Sequence, residues 1–210
     1  DQVLGEAYGL RAMAYFDLLR YYGEHFDQNS QFGLPLILEP IPDNDFTQIP
    51  PANRATVAQT YAQVLDDVNE AISRLAGVDD KGRMNFWAAH ALRARVSLYQ
   101  ANYQQAFDDA NTIIESGEFV LLENLDDLYN TTEPTPESIF DIEFNDQDQS
   151  AYNSFLIRRD EYNVDPSLLA AFEEGDQRAN YFGFLRNQDR CFKSPDPTNA
   201  DNAKVFRLAE

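Results

Sequence analysis

The stretch GEAYGLRAMAYFDLLRYYGE (residues 5–24), followed closely by GLPLILEP (residues 33–40), decides the fold of this chain. In the first stretch, apolar residues recur at helical spacing in two rows, which together cover more than half of the helix surface. We therefore expect this helix to pack between neighbours, and Gly9, Ala12 and Ala14 are small enough to let them come close. The first row is Val3, Ala7, Leu10, Ala14, Leu18 and Tyr21, and the second is Leu4, Tyr8, Ala12, Tyr15, Leu19 and Tyr22, which leaves mainly Gln2, Glu6, Asp17 and Arg20 for water.

The second stretch is extended, because Pro35 and Pro40 exclude a helix there. In order and in residue type, the two stretches resemble the SusD/RagB family of nutrient-binding outer-membrane lipoproteins, whose members carry a similar AEAxxLRAxAYFDLxRxYG…GxPLxxEP pattern. Family members are much longer, and this chain starts at Asp1 in mid-pattern, without a signal peptide or a lipid-acceptor cysteine. The resemblance therefore implies a central fragment, in which residues 207–210 resemble the opening of another helix.

Residues 56–75 predict a second helix. Thr56 and Gln59 have the S/T-x-x-E/Q spacing of a capping box, in which each side chain satisfies a free backbone amide at the helix start. Apolar residues follow at helical spacing, and Gly77 marks the end of the helix. The apolar row is Val57, Tyr61, Val64, Val68, Ile72 and Leu75.

Residues 85–117 predict two helices joined by a tight turn near Asn102, with Asn85 as the N-cap and Gly117 as the C-terminal cap. Their small and bulky residues partly fit the hairpin pattern of a tetratricopeptide repeat. An ordinary antiparallel helix pair is the alternative, and the resemblance favours the repeat because SusD-like proteins have a scaffold of such pairs. Ala94, Tyr103, Ala106 and Ala110 fit the pattern, whereas Ser97 and Ile113 do not.

A strand is predicted further along the chain. Phe140, Ile142 and Phe144 alternate with Asp141 and Glu143, which is the period of a half-buried strand with its acidic residues in water. The segment resembles the ExIFxIxF segment of the family.

A short helix is predicted for residues 165–178, with Asp165 at its cap, Pro166 at its first position and Gly175 at its end. Residues 182–203 carry Asn, Asp, Pro and Ser with no hydrophobic period, so we expect a loop there.

We therefore predict a mainly α fold of tetratricopeptide-like stacked helix hairpins, as in SusD-like proteins, with a smaller irregular region containing one or two short strands. Residues 1–117 would form the helical scaffold. Residues 118–210 would form a loop-rich ligand-side region with a short strand and helix, within the same SusD-like domain, truncated at both ends. Four arginines in the apolar helices are expected to satisfy helix-end carbonyls and buried acids, namely Arg11, Arg20, Arg93 and Arg95.

The composition excludes several classes of partner. Its 36 acidic and 16 basic residues give a formal charge of −20, which repels phosphate backbones and argues against nucleic acid and against direct binding to anionic lipid. No run of 18 apolar residues is present to span a membrane. Cys191 is the only cysteine, so the chain cannot form an internal disulfide or a four-cysteine zinc site.

No catalytic constellation stands out. His90 lies among alanines on a helix, where a hydrogen-bonded structural imidazole is expected, and His25 belongs to a different element. Asp146 and Asp148 begin like a calcium loop, but the sixth position lacks glycine and Ile157 stands in place of the twelfth-position glutamate. We therefore expect no enzyme activity, no cofactor and no metal.

The segment AYNSFLIRRDEYN (residues 151–163) carries the candidate ligand-binding residues. Aromatic faces stack on sugar rings, while amide and guanidinium groups hydrogen-bond neighbouring hydroxyls. In the resembled family, loops after the strand help to form the ligand platform. The alternative is that the aromatic residues of this segment cover a sheet edge and its arginines pair with acidic residues. Trp87 could also stack on a sugar, but it lies at the start of a helix and is expected to pack in the core. The candidates are Tyr152, Asn153, Arg158 and Tyr162.

By resemblance, the protein captures a nutrient, most often a glycan, at the outer-membrane surface without catalysis. It would be tethered by a lipid anchor absent from this chain and would deliver its cargo to a TonB-dependent (SusC-like) transporter, whose barrel it caps. One alternative is a tetratricopeptide-type scaffold for protein–protein interaction without sugar binding. A weaker alternative is an acidic glycoside hydrolase, which would release reducing sugar.

Overall fold

The computed structural model describes residues 1–39, 53–124, 126–129, 133–144, 147, 164–185, 188–191 and 203–208. The chain divides into two compact units, one of residues 1–80 with 84–116 and the other of residues 81–83 with 117–210. The predicted mainly α class is confirmed, although the described residues contain four short strands rather than one or two. The elements in chain order are α1 (Gln2–Tyr22), α2 (Val57–Arg74), α3 (Phe86–Tyr99), α4 (Tyr103–Ser116), α5 (Asp126–Tyr129), β1 (Ser138–Ile142), α6 (Pro166–Ala170), a 3-10 helix (Gln177–Tyr181), β2 (Phe182–Leu185), β3 (Gln188–Cys191) and β4 (Ala203–Arg207).

In the first unit, the four long helices pack in sequence order, α1 on α2, α2 on α3 and α3 on α4. The turn between α3 and α4 contains Ala101 at a φ of 57°, and Asn85 Oδ1 accepts the Ala88 amide at 2.8 Å to cap α3. Helix α4 ends at Ser116, and Gly117 follows at a φ of 71°, where glycine avoids the strain of a side chain. The predicted hairpin and its caps are confirmed.

The capping box of α2 is formed as predicted. The Gln59 amide donates to Thr56 Oγ1 at 3.1 Å, and the Thr56 amide donates to Gln59 Oε1 at 2.9 Å. Most of the predicted apolar row is completely buried, namely Val57, Tyr61, Val64, Val68 and Leu75.

Within the described residues, helix α1 is buried along one face and not around most of its circumference, which differs from the prediction. Gly9 allows the close packing on that side, because a Cβ there would lie 2.6 Å from Met84 Cγ. The first apolar row is exposed along its whole length, and Ala14 lies on it. Glu6 was expected in water but is buried beside the packed face, where its carboxylate accepts a hydrogen bond from Gln2. The packed face consists of Gly5, Gly9, Ala12, Phe16 and Leu19.

The extended segment after α1 is fixed by side chains that bind its backbone. The Tyr15 hydroxyl accepts the Ile37 amide at 2.7 Å and donates to the Ile37 carbonyl at 3.0 Å. Arg54 donates to the Gly33 carbonyl at 2.9 Å and to the Tyr22 carbonyl at 2.6 Å, which satisfies the end of α1. Pro35 forms an isolated bridge with Arg54, so the predicted extended path is confirmed.

In the second unit, β1 pairs antiparallel with β4. Four consecutive residues of β1, from Ser138 to Asp141, are buried, so the predicted exposure of Asp141 is wrong. The Asp141 amide donates to the Lys81 carbonyl at 2.9 Å, so a loop residue lies against the strand where solvent was expected. Glu143, beyond the end of β1, is exposed as predicted.

The prediction of a loop for residues 182–203 is also wrong in part. Strands β2 and β3 form an antiparallel hairpin that pairs Phe182 with Cys191 and Leu185 with Gln188. The polar sequence QDRC of β3 has no hydrophobic period, which is why it gives no strand signal. Strand β4 ends at Arg207, and Leu208 lies in a turn. The start of another helix, which was predicted for residues 207–210, is therefore not found in the described residues.

The predicted helix at residues 165–178 is shorter than expected. Asp165 accepts the Ser167 amide at 2.8 Å and Pro166 is the first helical residue, so the predicted start is confirmed. Helix α6 ends at Ala170, well before Gly175, and a separate 3-10 helix begins at Gln177.

Candidate ligand-binding region

The four candidate ligand-binding residues lie outside the described residues. Tyr152, Asn153, Arg158 and Tyr162 all fall between Gln147 and Val164, so their assignment stays a prediction. The structure does describe the elements on either side of this segment, where β1 ends at Ile142 and α6 begins at Pro166. These two elements are the described supports on either side of the candidate segment, called here the β1 side and the α6 side.

The support on the β1 side has an apolar centre. Phe140 of β1 and Phe206 of β4 are paired residues, and their ring centroids lie 6.4 Å apart. Ile139, the preceding residue of β1, is also buried. A strand buried over most of its length is a rigid base for the chain that follows it.

Glu137, the residue before β1, holds the start of this strand through hydrogen bonds and an ion pair. Its carboxylate accepts the Leu122 amide at 3.2 Å and lies 3.9 Å from the Arg207 guanidinium. Its backbone carbonyl accepts the Leu208 amide at 3.0 Å. A buried carboxylate with these partners serves structure, because its acceptor oxygens are already engaged.

Lys81 is a supporting residue that sequence reasoning missed. Its Nζ donates to the Thr135 carbonyl at 2.9 Å and lies 5.2 Å from the centre of the Phe119 ring, while its carbonyl accepts the Asp141 amide. A single lysine in a polar turn carries no periodic signal, so these partners, more than 30 residues away, could not be inferred.

The support on the α6 side is built from short polar caps. Hydrogen bonds from Ser167 lower the pKa of Asp165, and hydrogen bonds from Arg178 lower the pKa of Asp176. Asp176 and Arg178 form an ion pair at 2.6 Å. The rings of Phe172 and Phe182 lie 5.2 Å apart, which joins the turn after α6 to the start of β2.

His90 and its partners were the best-placed titratable cluster in the first unit, and they form a closed network. His90 Nδ1 lies 2.7 Å from Asp109 Oδ1, and Arg93 donates twice to the same carboxylate at 2.7 and 2.9 Å. Gln105 donates to it at 3.0 Å, and Arg93 also binds Asn69 on α2. Burial alone would raise the pKa of Asp109, but the hydrogen bonds from His90, Arg93 and Gln105 outweigh it and lower the pKa to about 2. The predicted structural imidazole is confirmed.

The predicted role of the arginines is confirmed for two of them. Arg11 forms a bidentate pair with buried Asp67 at 2.7 Å, and Arg93 does the same with Asp109. Arg20 instead binds Asp17 and lies over the rings of Phe16, Tyr21 and Tyr99. The helix-end carbonyl of α1 is satisfied by Arg54, which sequence reasoning did not single out.

The structure also bears on three other features of the sequence, namely metal ligands, Trp87 and membrane-spanning helices. Among the described residues, no group of three or more His, Cys, Asp or Glu side chains is arranged to hold a metal, and Asp146 and Asp148 lie outside them. Trp87 is partly buried on the first turn of α3, with its ring 5.0 Å from that of Phe86. No helix within the described ranges has both the length and the apolar character needed to cross a bilayer.

Comparisons with known proteins give a consistent result. Residues 1–98 match the SusD-like family model described as starch-binding and associating with the outer membrane. SusD-like protein P38 of Formosa agariphila is 28% identical over 188 residues, which cover 82% of this chain and 35% of that protein. A SusD superfamily crystal structure from Bacteroides thetaiotaomicron is 25% identical, with a TM-score of 0.79 over 98% of this chain and 51% of that one. Surface glycan-binding protein A of Bacteroides fluxus has a TM-score of 0.74 at 22% identity over 98% and 52% of the two chains.

The fold is therefore that of the SusD superfamily. The resemblance of residues 5–40 to the SusD/RagB family is confirmed, because the SusD-like family model matches residues 1–98 and the curated relatives that match are SusD-like proteins. The chain spans about a third of the curated relative's length and about half of the length of the two solved structures.

Proposed function

We propose that this protein binds a glycan without catalysis. The proposal rests on the structural likeness of this chain, over 98% of its length, to SusD superfamily proteins, one of which is a surface glycan-binding protein. The description of the matching family as starch-binding points to the same ligand class. The closed His90–Asp109–Arg93 network supports the absence of catalysis from that cluster, since its carboxylate is already committed to structural partners.

We propose further that residues 118–210 form the ligand side and residues 1–117 form the scaffold. The segment that carries Tyr152, Asn153, Arg158 and Tyr162 begins soon after β1, which is anchored by Glu137 and the buried pair of phenylalanines. A binding segment gains affinity when its ends are fixed, because less conformational freedom is lost on binding. The two tyrosines would stack on sugar rings, while the amide and the guanidinium would bind hydroxyls.

The binding proposal is tested by affinity electrophoresis of the complete gene product in gels that contain starch, xylan or a soluble β-glucan. Retardation by at least one polysaccharide is expected, with no reducing sugar released on incubation. Tyr152→Ala and Tyr162→Ala are expected to weaken binding about tenfold each, whereas Tyr22→Ala, an exposed tyrosine on α1, leaves it unchanged. Equal loss in all three variants would refute the site, and release of reducing sugar would favour a hydrolase.

The same experiment separates glycan binding from the scaffold alternative. The array α1–α4 is also the architecture of protein–protein scaffolds, which bind peptide segments on their helices. That alternative predicts no retardation by any polysaccharide.

We propose that the protein is held at the outer-membrane surface by a lipid anchor and delivers its glycan to a TonB-dependent (SusC-like) transporter. The family description, which names the outer membrane, supports the location. We expect the helical side to contact the transporter. Hydrogen exchange of the complex should then show increased protection in α1–α4, and unchanged protection there would count against this arrangement.

A further inference from the structure

The four long helices of the first unit form two helix pairs with a shared residue pattern. The sequence Leu-Arg-Ala occurs at residues 10–12 of α1 and again at residues 92–94 of α3. The pattern Tyr-x-Gln-x-x-Asp-Asp-x-Asn occurs at residues 61–69 of α2 and again at residues 103–111 of α4. This self-similarity indicates that α1–α2 and α3–α4 are equivalent hairpins.

The same hydrogen bonds join the two helices of each pair. An arginine on the first helix donates through Nε and Nη2 to the two carboxylate oxygens of an aspartate on the second, namely Arg11 to Asp67 and Arg93 to Asp109. The glutamine four residues before each aspartate donates to the same carboxylate, at 2.9 Å in the first pair and 3.0 Å in the second. The geometry therefore supports the equivalence that the sequence pattern indicates.

The two pairs differ in the connection between their helices. Three residues, Gln100–Asn102, join α3 to α4. Residues 23–56 join α1 to α2, and of these 40–52 lie outside the described part of the chain. Because a three-residue turn is enough to close the second hairpin, the hairpin itself does not require the long connection. Long connections in compact units usually carry function.

The first part of the long connection is a compact loop of residues 24–32, called here the aromatic loop. The Glu24 amide donates to the Phe32 carbonyl at 3.0 Å, which joins the two ends of the loop. The hydroxyl of Tyr61, a completely buried residue of α2, donates to the His25 carbonyl at 3.2 Å. A loop fixed in this way loses little conformational freedom when a ligand binds.

The aromatic loop combines exposed rings with side-chain amides. Phe26 is 78% exposed and Phe32 is 55% exposed. The rings of His25 and Phe26 lie edge to face with their centroids 5.6 Å apart, which orients the Phe26 ring. Asn29 and Gln31, which are exposed, lie between the two phenylalanines in the sequence. The loop has no arginine, methionine or aliphatic residue, and arginine and methionine are enriched at interfaces with protein partners.

We propose that the aromatic loop is a glycan contact on the helical unit, additional to the candidate segment at residues 151–163. This inference rests on the proposed function of glycan binding. Phe26 and Phe32 stack on the apolar faces of sugar rings, and the amides of Asn29 and Gln31 hydrogen-bond neighbouring hydroxyls. A neutral glycan is not repelled by the formal charge of −20.

Affinity electrophoresis of the complete gene product, in a gel containing a polysaccharide that retards the parent, tests the inference. Phe26→Ala is expected to raise the dissociation constant about fivefold, whereas Phe26→Trp, which keeps an aromatic face, should change it by less than about twofold. Phe107→Ala is the matched control, because Phe107 on α4 is a phenylalanine of the same unit that is 59% exposed but lies outside the loop. The control should bind like the parent. Urea denaturation of each variant should give a midpoint within about 0.5 M of the parent, since exposed rings add little stability.

Equal binding by Phe26→Ala and the parent would overturn the inference and leave glycan binding itself standing. Equal weakening by Phe107→Ala would also overturn it, and so would a urea midpoint lowered by more than about 0.5 M in Phe26→Ala, which would show that the ring is packed in the complete protein. Unchanged glycan binding together with weaker association with the transporter would identify a protein as the occupant of the loop and overturn the inference. If no polysaccharide retards the parent, the proposed function fails and this inference fails with it.

Discussion

The first unit is held together by contacts between consecutive helices, whereas the described part of the second unit depends on partners from distant stretches of chain. Asp109 on α4 binds two residues of α3, the preceding helix. In contrast, β1 pairs with β4, more than 60 residues later, and is also bound by Lys81, more than 50 residues earlier. The helical unit can therefore be assembled stepwise along the chain, whereas the pairing of β1 with β4 requires most of the chain to be present.

The largest expected effect tests the dependence of β1 on its distant partner. Phe206→Ala removes a fully buried ring from β4 and is expected to lower the free energy of unfolding by about 3–5 kcal/mol. Urea denaturation measures the change, and Leu168→Ala on α6, where the residue is 47% exposed, serves as the control with a loss below about 1 kcal/mol. Equal losses in both variants would mean that the β1–β4 core is not what stabilises this unit.

A smaller effect is expected from the polar network of the helical unit. Asp109→Ala leaves Arg93, His90 and Gln105 without their shared acceptor, and it should lower the free energy of unfolding by about 3 kcal/mol. This value is near the low end for a broken buried pair, because the Arg93 side chain is 20% exposed. Asp108→Ala, the exposed neighbour on the same helix, should change stability by less than about 0.5 kcal/mol. A loss of similar size in the control would show that helix propensity, and not the network, is responsible.

The same network should also make the stability of the helical unit depend on pH. The pKa of Asp109 is about 2 in the folded chain, below its ordinary value of 3.8, so its contribution is complete above pH 4 and is lost as the pH falls towards 2. The parent protein should therefore lose about 2 kcal/mol more than Asp109→Asn between pH 6 and pH 2. Unfolding free energies at the two pH values give this difference, and identical losses would contradict the assignment.

The smallest expected effect concerns a signal that is local in the sequence. Thr56→Ala removes one half of the capping box of α2 and should cost about 1 kcal/mol. Ser73→Ala, near the exposed end of the same helix, should be close to neutral. If the cap variant were also neutral, the start of α2 would depend on its packing and not on its capping residues.

The helical unit could be predicted from the sequence because its signals are local. The capping pair Thr56 and Gln59, the N-cap Asn85 and the glycine after α4 each act within one turn of their own helix. The buried face of α1 was harder to predict, because apolar residues surround most of the helix and the close approaches at Gly5 and Gly9 select one side.

The second unit was predicted less well because its determinants are separated in the sequence. Asp141 alternates with apolar residues as a solvent-facing residue would, yet the Lys81 carbonyl binds its amide and the residue is buried. The polar strand β3 is different, because its partner β2 directly precedes it in the chain, and it was missed because its sequence QDRC has no hydrophobic period. The candidate residues between β1 and α6 rest on family resemblance and remain a prediction.

The placement of Lys81–Arg83 has a consequence for how this protein can be divided. These three residues belong to the second unit although the chain on both sides of them belongs to the first, so the path crosses between the units three times. Recombination at any single point could not transfer either unit intact to another gene. A crossover between residues 116 and 117 would separate β1 from Lys81, whose carbonyl accepts the Asp141 amide, so the two halves are expected to be inherited together.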